Sequence, residues 1–507
     1  MVQRHCSTAS QRVSWVSELI ADSGSYGVVS HLSQTISVSR QTLYSWKAKG
    51  QAALEQALGP APTATAMESK VQIERAILTL LIEGHASYRG IQRCLWLLLG
   101  VQVSLGKIAA VVQSAGELAQ HWLSRHTPAT ARGVALDELY GPSHGEGYLN
   151  VVDVHSGAVW ASTSLVGVDG ESWTLLLWQL EEQGLHWQTA VSDGGRAIGE
   201  AVATVSPECA HQRDVWHLLH ACQQVQARLD RRLEELEQQT AVVARQAARL
   251  AAGQRPRGRC PKSDVAAHAA ELAQARYACE GLGYLSGELR HLLGVVVLTA
   301  QGLMPSSVRQ GELEALLALL AELSLVAPDS MQHELARLVT LLQAALPHLV
   351  LFAPGLDASQ EHACQALGPS AVHLLGWAGP RRAILGPSSK ELLERIPAAW
   401  QSVAAPLLAA WDAAVRASSA VENWHSVVRP YLAVHRRLSS GMVARFPVWH
   451  NHRIAERGLH RGHSPLMRSG MTQASPDWLV ALGYPPDGMA CLPESLVESQ
   501  PTLVLAA

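Results

Sequence analysis

Charged residues are scarce, at 16% of 507, while 48% of residues are hydrophobic, which excludes an intrinsically disordered chain. An excess of one sign is missing too: the net charge is −3, which excludes a uniformly basic nucleic-acid binder. No hydrophobic run is long enough to span a bilayer. The longest, from Leu292 to Met304, is short and contains Gln301, so a buried helix is expected there. The eight cysteines form no CxxC pair and have no regular spacing, and the N-terminus carries no signal-peptide pattern. These absences exclude a disulfide framework and predict a reduced, cytoplasmic protein with no membrane partner. The length is too great for one core and predicts about three or four domains.

The charge that is present is unevenly spread. Residues 1–132 hold 12 Lys and Arg against 7 Asp and Glu, and residues 416–470 hold nine arginines against only Glu422 and Glu456. Positive charge is thus concentrated towards the two ends, where local basic surfaces suit phosphate contacts. In the first region, Val28, Val29 and Leu32 make one helical stripe, and Val38, Leu43 and Trp46 continue it on a second helix that Ser39 can cap. The pattern predicts a helix-turn-helix domain over residues 1–58, with Arg40, Gln41, Thr42, Ser45 and Lys47 offered to a DNA groove. A linker rich in Pro, Ala and Thr (59–66) follows. Residues 67–128 repeat the theme: an apolar helix through Ile77–Ile82, a second opened by Ser87, and a third opened by Val103-Ser104-Leu105. Arg89 and Lys107 are its candidate DNA contacts.

From Arg132 the apolar period shortens and sheet is expected. Strands over 133–138, 147–155 and 159–165, the last two joined at Ser156-Gly157, precede a helix over 171–183. A strand at 187–192, a helix at 197–205 and a strand at 210–215 complete the run. The chain is then Leu/Ala-rich and helical to about residue 416, with a basic loop at 255–262.

Three acids stand out against this background. Asp137 ends the apolar run Gly133-Val134-Ala135-Leu136, and Asp193 ends Thr189-Ala190-Val191-Ser192. Glu422 lies at the start of a helix that Pro430 is expected to limit, and shares a face with residue 425 or 426 and with 429, which sets Ser426 and Arg429 beside it. Two strand-borne aspartates and a helix-borne glutamate can share two Mg²⁺ ions, with Mn²⁺ able to substitute, and so serve phosphoryl transfer. Asp153 competes with Asp193, and Glu391 or Glu394 with Glu422. Glu138 is expected to face away from Asp137 by strand alternation.

The paired readers, the strand order and the three acids together resemble the DDE transposases. That resemblance implies an α/β ribonuclease H-like core, a mixed five-stranded sheet with helices, preceded by helix-turn-helix domains and interrupted by a large all-α insertion. Its parts would be residues 132–221 and 416–450, with the insertion at 222–415 and a tail at 451–507. His450, at the end of the core, and the tail's His452, His460 and His463 are expected to form a basic, DNA-facing segment rather than a zinc site. Families with such an insertion carry an acid or cysteine ahead of a histidine after the fifth strand. Asp214 and His217 match and, with Arg429, would support the active site; read alone, Asp214 is equally a helix cap. The resemblance further implies a bacterial, nucleoid-associated insertion-sequence transposase. It would bind double-stranded terminal inverted repeats and target DNA, act as a dimer or larger synaptic complex, and cut and join strands. A non-cleaving DNA-binding regulator and a nuclease that cuts without joining are the rival readings.

Overall fold

The computed structural model describes residues 7–22, 25–58, 68–142, 147–164, 167–254, 265–300, 302–385, 394–435, 437–458, 460–473 and 475–486. The linker at 59–66, the basic loop at 255–262 and Glu391 lie outside them. The chain divides into two compact units at Val71.

In the first unit, α1 (Ala9–Ala21), α2 (Val28–Ile36) and α3 (Arg40–Leu58) enclose a small core of Leu19, Leu32 and Leu43. Trp15 and Trp46 stack beside it, their ring centroids 6.4 Å apart. The turn between α2 and α3 is made by Ser37 in the left-handed region (φ 50°). The Ser39 hydroxyl then caps α3 by accepting from the Thr42 N–H at 3.1 Å. Arg40, Gln41 and Ser45 are exposed on α3, whereas Thr42 and Lys47 are half-buried.

The second unit begins within α4 (Glu68–Ile82) and continues with α5 (Tyr88–Leu99) and α6 (Leu105–Arg125). A sheet follows: β1 (Thr130–Tyr140), β2 (Gly147–Asp153), β3 (Val159–Ser164), α7 (Gly170–Glu182), β4 (His186–Ser192), α8 (Arg196–Val205) and β5 (Ala210–Arg213). Its order is β3-β2-β1-β4-β5, the first three strands antiparallel and β4 and β5 parallel to β1. Each expected strand is present, and β1 runs three residues further in and two further out than its apolar stretch, carried by pairing on both sides.

After β5 the chain is helical. The helices are α9 (Val215–Ala251), α10 (Val265–Leu292), α11 (Ser306–Val326), α12 (Asp329–Ala345), α13 (Pro354–Leu367), α14 (Pro369–Leu385) and α15 (Ala398–Ala413). Leucine layers such as Leu229, Leu289, Leu317, Leu335 and Leu342 hold α9–α12 together. A second cluster around Leu356, Leu375, Leu408 and Trp411 joins α13, α14 and α15. The apolar run at 292–304 is not the expected helix. α10 stops at Leu292, and a small antiparallel pair, Leu298–Thr299 with Gly302–Leu303, takes its place. Gly294, the β-branched run Val295–Val297 and Gly302 (φ 123°) disfavour helix there.

The chain returns to the sheet with α16 (Ser419–His435) and α17 (Ser440–His452). Pro430 does not limit α16, which runs on to His435. Burial of Tyr431 and Leu432, and a 2.6 Å hydrogen bond from the Tyr431 hydroxyl to Ile82 O, outweigh the lost helix bond. α17 is almost wholly buried and packs on β3 and α6. Gly116 and Gly441 allow this approach, because a Cβ on Gly116 would meet Gly441 Cα at 2.3 Å. Asn451 brackets Val159, donating from Nδ2 to its O (2.9 Å) and accepting from its N–H (2.8 Å), so it covers part of an edge strand. The expected DNA-facing histidine segment is therefore corrected: His452 is buried inside α17 and His450 is bound to Gly157 O at 3.1 Å. His460 and His463 remain exposed.

Candidate metal centre

Strand register builds the site. Asp137 pairs with Asn150 across β1 and β2, and Asn150 pairs with Ser162 across β2 and β3, so the three side chains form one polar row on one face. On the other side of β1, Ala135 pairs with Val191 in parallel, which puts Asp193 beside Asp137 two steps further along. Glu138 takes the opposite face, where its Oε1 accepts from Trp173 Nε1 of α7 at 2.8 Å. Asp153 is not in the row. It closes β2, accepting from the N–H groups of His155 and Ser156 at 2.8 Å each, which makes it a turn organiser.

α16 lies over the row. Trp424 Nε1 and Ser162 Oγ both donate to Asn150 Oδ1 at 2.8 Å, so the Asn150 amide orientation is fixed. Asn150 Nδ2 then donates to Tyr148 O at 2.8 Å and faces His425 Nε2 at 3.2 Å. With Nε2 accepting, the neutral His425 ring carries its proton on Nδ1. That atom is 3.7 Å from Asp137 Oδ2 and 4.0 Å from Glu422 Oε2. Burial and the nearby Arg429 push the His425 pKa down to about 4, so the ring is neutral at physiological pH. Asp137, Glu422 and His425 bring their ligand atoms within 4.8 Å of one another, a group able to hold a metal ion.

Asp214 ties this arrangement to the rest of the chain. Its own N–H donates to Ser192 O at 2.8 Å, and its Oδ1 caps α9 by accepting from Trp216 N–H at 2.6 Å. Its Oδ2 accepts from the Ser418 N–H at 2.8 Å and from the Ser418 hydroxyl, immediately before α16. The next residue, Val215, donates its N–H to Arg416 O at 3.0 Å. His217 Nδ1 is 3.1 Å from Asp214 Oδ2, and its Nε2 is 4.0 Å from Glu422 Oε1. Burial would raise the Asp214 pKa, but the bonds from His217 and Ser418 outweigh it and hold the carboxyl below its ordinary range. The Asp214 bond in turn holds the His217 imidazole above its ordinary range, against burial. Asp214 is thus the cap of α9 and, with the same carboxylate, the anchor of the residue that precedes α16.

The acids repel one another. Burial first, then Asp193 and Glu422, push the Asp137 pKa up to about 7, against a bond from the Glu138 N–H to Asp137 Oδ1 (2.8 Å). Arg429 Nη2 approaches Glu422 Oε2 at 3.5 Å, while Ser426 turns away to donate to Asn423 O at 2.6 Å. Glu394 is exposed and takes no part in the group.

Helical spacing allows either 425 or 426 on the Glu422 face, and the structure selects His425; Asn150, Ser418 and Arg213 are not among the residues expected from the sequence. The signal for His425 was its i+3 spacing from Glu422 on a helical face, where Ser426 at i+4 was preferred. Arg213 lies against Gly194 (φ 81°), where a Cβ would sit 0.8 Å from its Nη1, beside Asp193 and Asp214. Gly194 therefore makes room for a guanidinium. Of the expected groove contacts in the second unit, Arg89 is exposed, but Lys107 Nζ is paired with Glu74 Oε1 at 3.0 Å. No helix among the described residues is long and apolar enough to cross a membrane. Compared with known proteins, the chain matches no family model and no curated protein.

Proposed function

We propose that this chain is a DDE-type transposase, a divalent-cation-dependent enzyme that cuts DNA strands and joins them to new ones. The observation that supports the reading is that Asp137 on β1 and Glu422 on α16, with His425, bring their ligand atoms together at one end of a mixed five-stranded sheet, while Asp193 after β4 lies outside that group but near enough to raise the Asp137 pKa. A carboxylate raised to about 7 by burial and by two neighbouring carboxylates is a donor set short of positive charge, which is the fit a hard divalent cation requires.

Asp137, Asp193 and Glu422 would hold two Mg²⁺, or Mn²⁺ in their place. Bound there, the cations supply Lewis acidity for an attacking hydroxyl and a leaving oxygen of a phosphodiester. The chain's own groups orient and neutralise. The neutral His425 ring turns Nδ1 towards Asp137 Oδ2 and Glu422 Oε2, at 3.7 and 4.0 Å, close enough to join them around a cation. Asp214 and Ser418 fix the start of α16, and His217 links Asp214 to Glu422. Arg429, exposed beside Glu422, is the cation turned towards a DNA phosphate in this reading.

The test uses duplexes carrying the DNA that flanks the gene, incubated with the full chain and Mg²⁺. Nicks at element ends followed by joined products are expected, both absent from Asp193→Asn. Nicks without joined products would assign a nuclease, and binding without nicks a regulator; either result would overturn the transposase reading.

A further inference from the structure

α5 and α6 meet at a tight turn with its own chemistry. Gly100 (φ 67°) ends α5, and the Ser104 hydroxyl caps α6 by accepting from the Lys107 N–H at 3.1 Å. Gln92 Nε2 donates to Val103 O at 2.7 Å and braces the turn from α5. In front of the turn lies an open cleft of about 730 Å³, lined by Arg89, Arg93 and Trp96 from α5 and by Gln102 and Ser104 from the turn. Arg89, Arg93 and Trp96 are spaced i, i+4 and i+7, so they share one face, while Ile91 and Leu95 take the buried face.

Both arginines are exposed, and among the described residues neither is in an ion pair, in contrast to Lys107, which Glu74 neutralises. The Trp96 indole is 45% exposed beside them, a large aromatic face left open to solvent. Two free guanidinia about 6 Å apart along a helix, flanked by an open indole and an amide, complement a chain of phosphates carrying unpaired bases. An acidic peptide would match the guanidinia but gives the indole no partner. A closed duplex would match the guanidinia but keeps its base faces stacked.

We propose that this cleft is a binding site for single-stranded DNA, in which Arg89 and Arg93 take successive phosphates and Trp96 stacks on a base. The site rests on the reading of the chain as a DNA-processing enzyme and adds to it a place for an unpaired strand, apart from the acids.

Fluorescence anisotropy of a labelled 20-nucleotide oligo-dT, with the full chain in metal-free buffer, tests it. Trp96→Ala and Arg93→Ala should each weaken binding roughly 5- to 100-fold, and Trp96→Phe should recover most of the loss. Arg93→Gln should also lower the slope of log affinity against log salt by about 0.7. Both side chains are exposed, so unchanged circular dichroism is expected of every variant. Wild-type affinity in Trp96→Ala and Arg93→Ala would overturn the proposal, as would equal losses on a blunt duplex of the same length. Self-association lost in Trp96→Ala, with oligonucleotide affinity intact, would overturn it in favour of a second copy of the chain. Nicking is scored separately: a wild-type chain that binds the strand through these residues but cuts no DNA would keep this site and sink the transposase reading.

Discussion

The polar row under α16 and the leucine layers of the inserted helices are both interior, yet they are built on opposite terms. In the helices, Leu335, Leu342 and Leu317 are buried among other apolar side chains, and their energy is that of area removed from water. In the row, Asn150, Trp424 and His425 are as deeply buried, but the Asn150 amide, the Trp424 Nε1 and the His425 Nε2 are answered by named partners, and the row ends in carboxylates that repel one another. The first region stabilises the fold; the second spends stability to keep charge together. The two are joined through Asp214 and Arg416, since α9 starts at the one and the Arg416 guanidinium donates to Leu293 O at 3.0 Å after α10. The helices between β5 and α16 therefore reach the row through side-chain-to-backbone bonds at its rim.

Asp137→Asn separates the two kinds of interior most sharply. It should lower nicking by on the order of 10³-fold. The same change should raise the metal-free melting temperature. The folded-state pKa of about 7 exceeds the unfolded value near 3.9, so ionising Asp137 costs stability from about pH 4 upward, levelling above pH 7. The gain in Tm should accordingly be larger at pH 8 than at pH 5, and calorimetry at both values checks it. An equal or opposite change would remove the claim that the row stores repulsion.

Leu335→Ala probes the other interior. It should cost about 2–5 kcal/mol in denaturant unfolding, with nicking per folded molecule nearly unchanged. Ser418→Ala lies between the two regions. It removes the hydroxyl donor from a buried carboxylate that keeps the N–H groups of Ser418 and Trp216, so a loss of about 1–3 kcal/mol is expected. Nicking should fall roughly tenfold with it, and Ser418→Thr should restore much of the rate. A rate loss with no recovery by threonine would mean that packing, not the hydroxyl, matters there. Lys107→Ala should be the smallest, within about 0.5 kcal/mol, because an exposed ion pair contributes little.

The sheet was legible from sequence because its strands are apolar, short and bounded by turn residues, and because Asp137 and Asp193 each close such a run. Glu422 was legible only through its surroundings, since a helical glutamate has no local mark. Three features resisted reading for physical reasons. His425 is a matter of which helical neighbour, i+3 or i+4, turns inward, and only packing against Asn150 decides it. The 292–304 run has helical hydropathy but β-branched and glycine residues, and tertiary pairing settled the matter. Ser418 reaches Asp214 across 204 residues of sequence, a contact that no local pattern carries. The exposed α5 face was visible as arginines, but the pairing of Lys107 with Glu74 was not.

The central claim is that Asp137, Asp193 and Glu422 form one divalent-cation site. Electron paramagnetic resonance of Mn²⁺ titrated into the full chain tests it most directly, with Asp137→Asn, Asp193→Asn and Glu422→Gln measured beside the wild type. The wild type should bind Mn²⁺ saturably, with free Mn²⁺ signal returning in all three variants. Binding that survives in any of the three, with the fold intact, would contradict the claim.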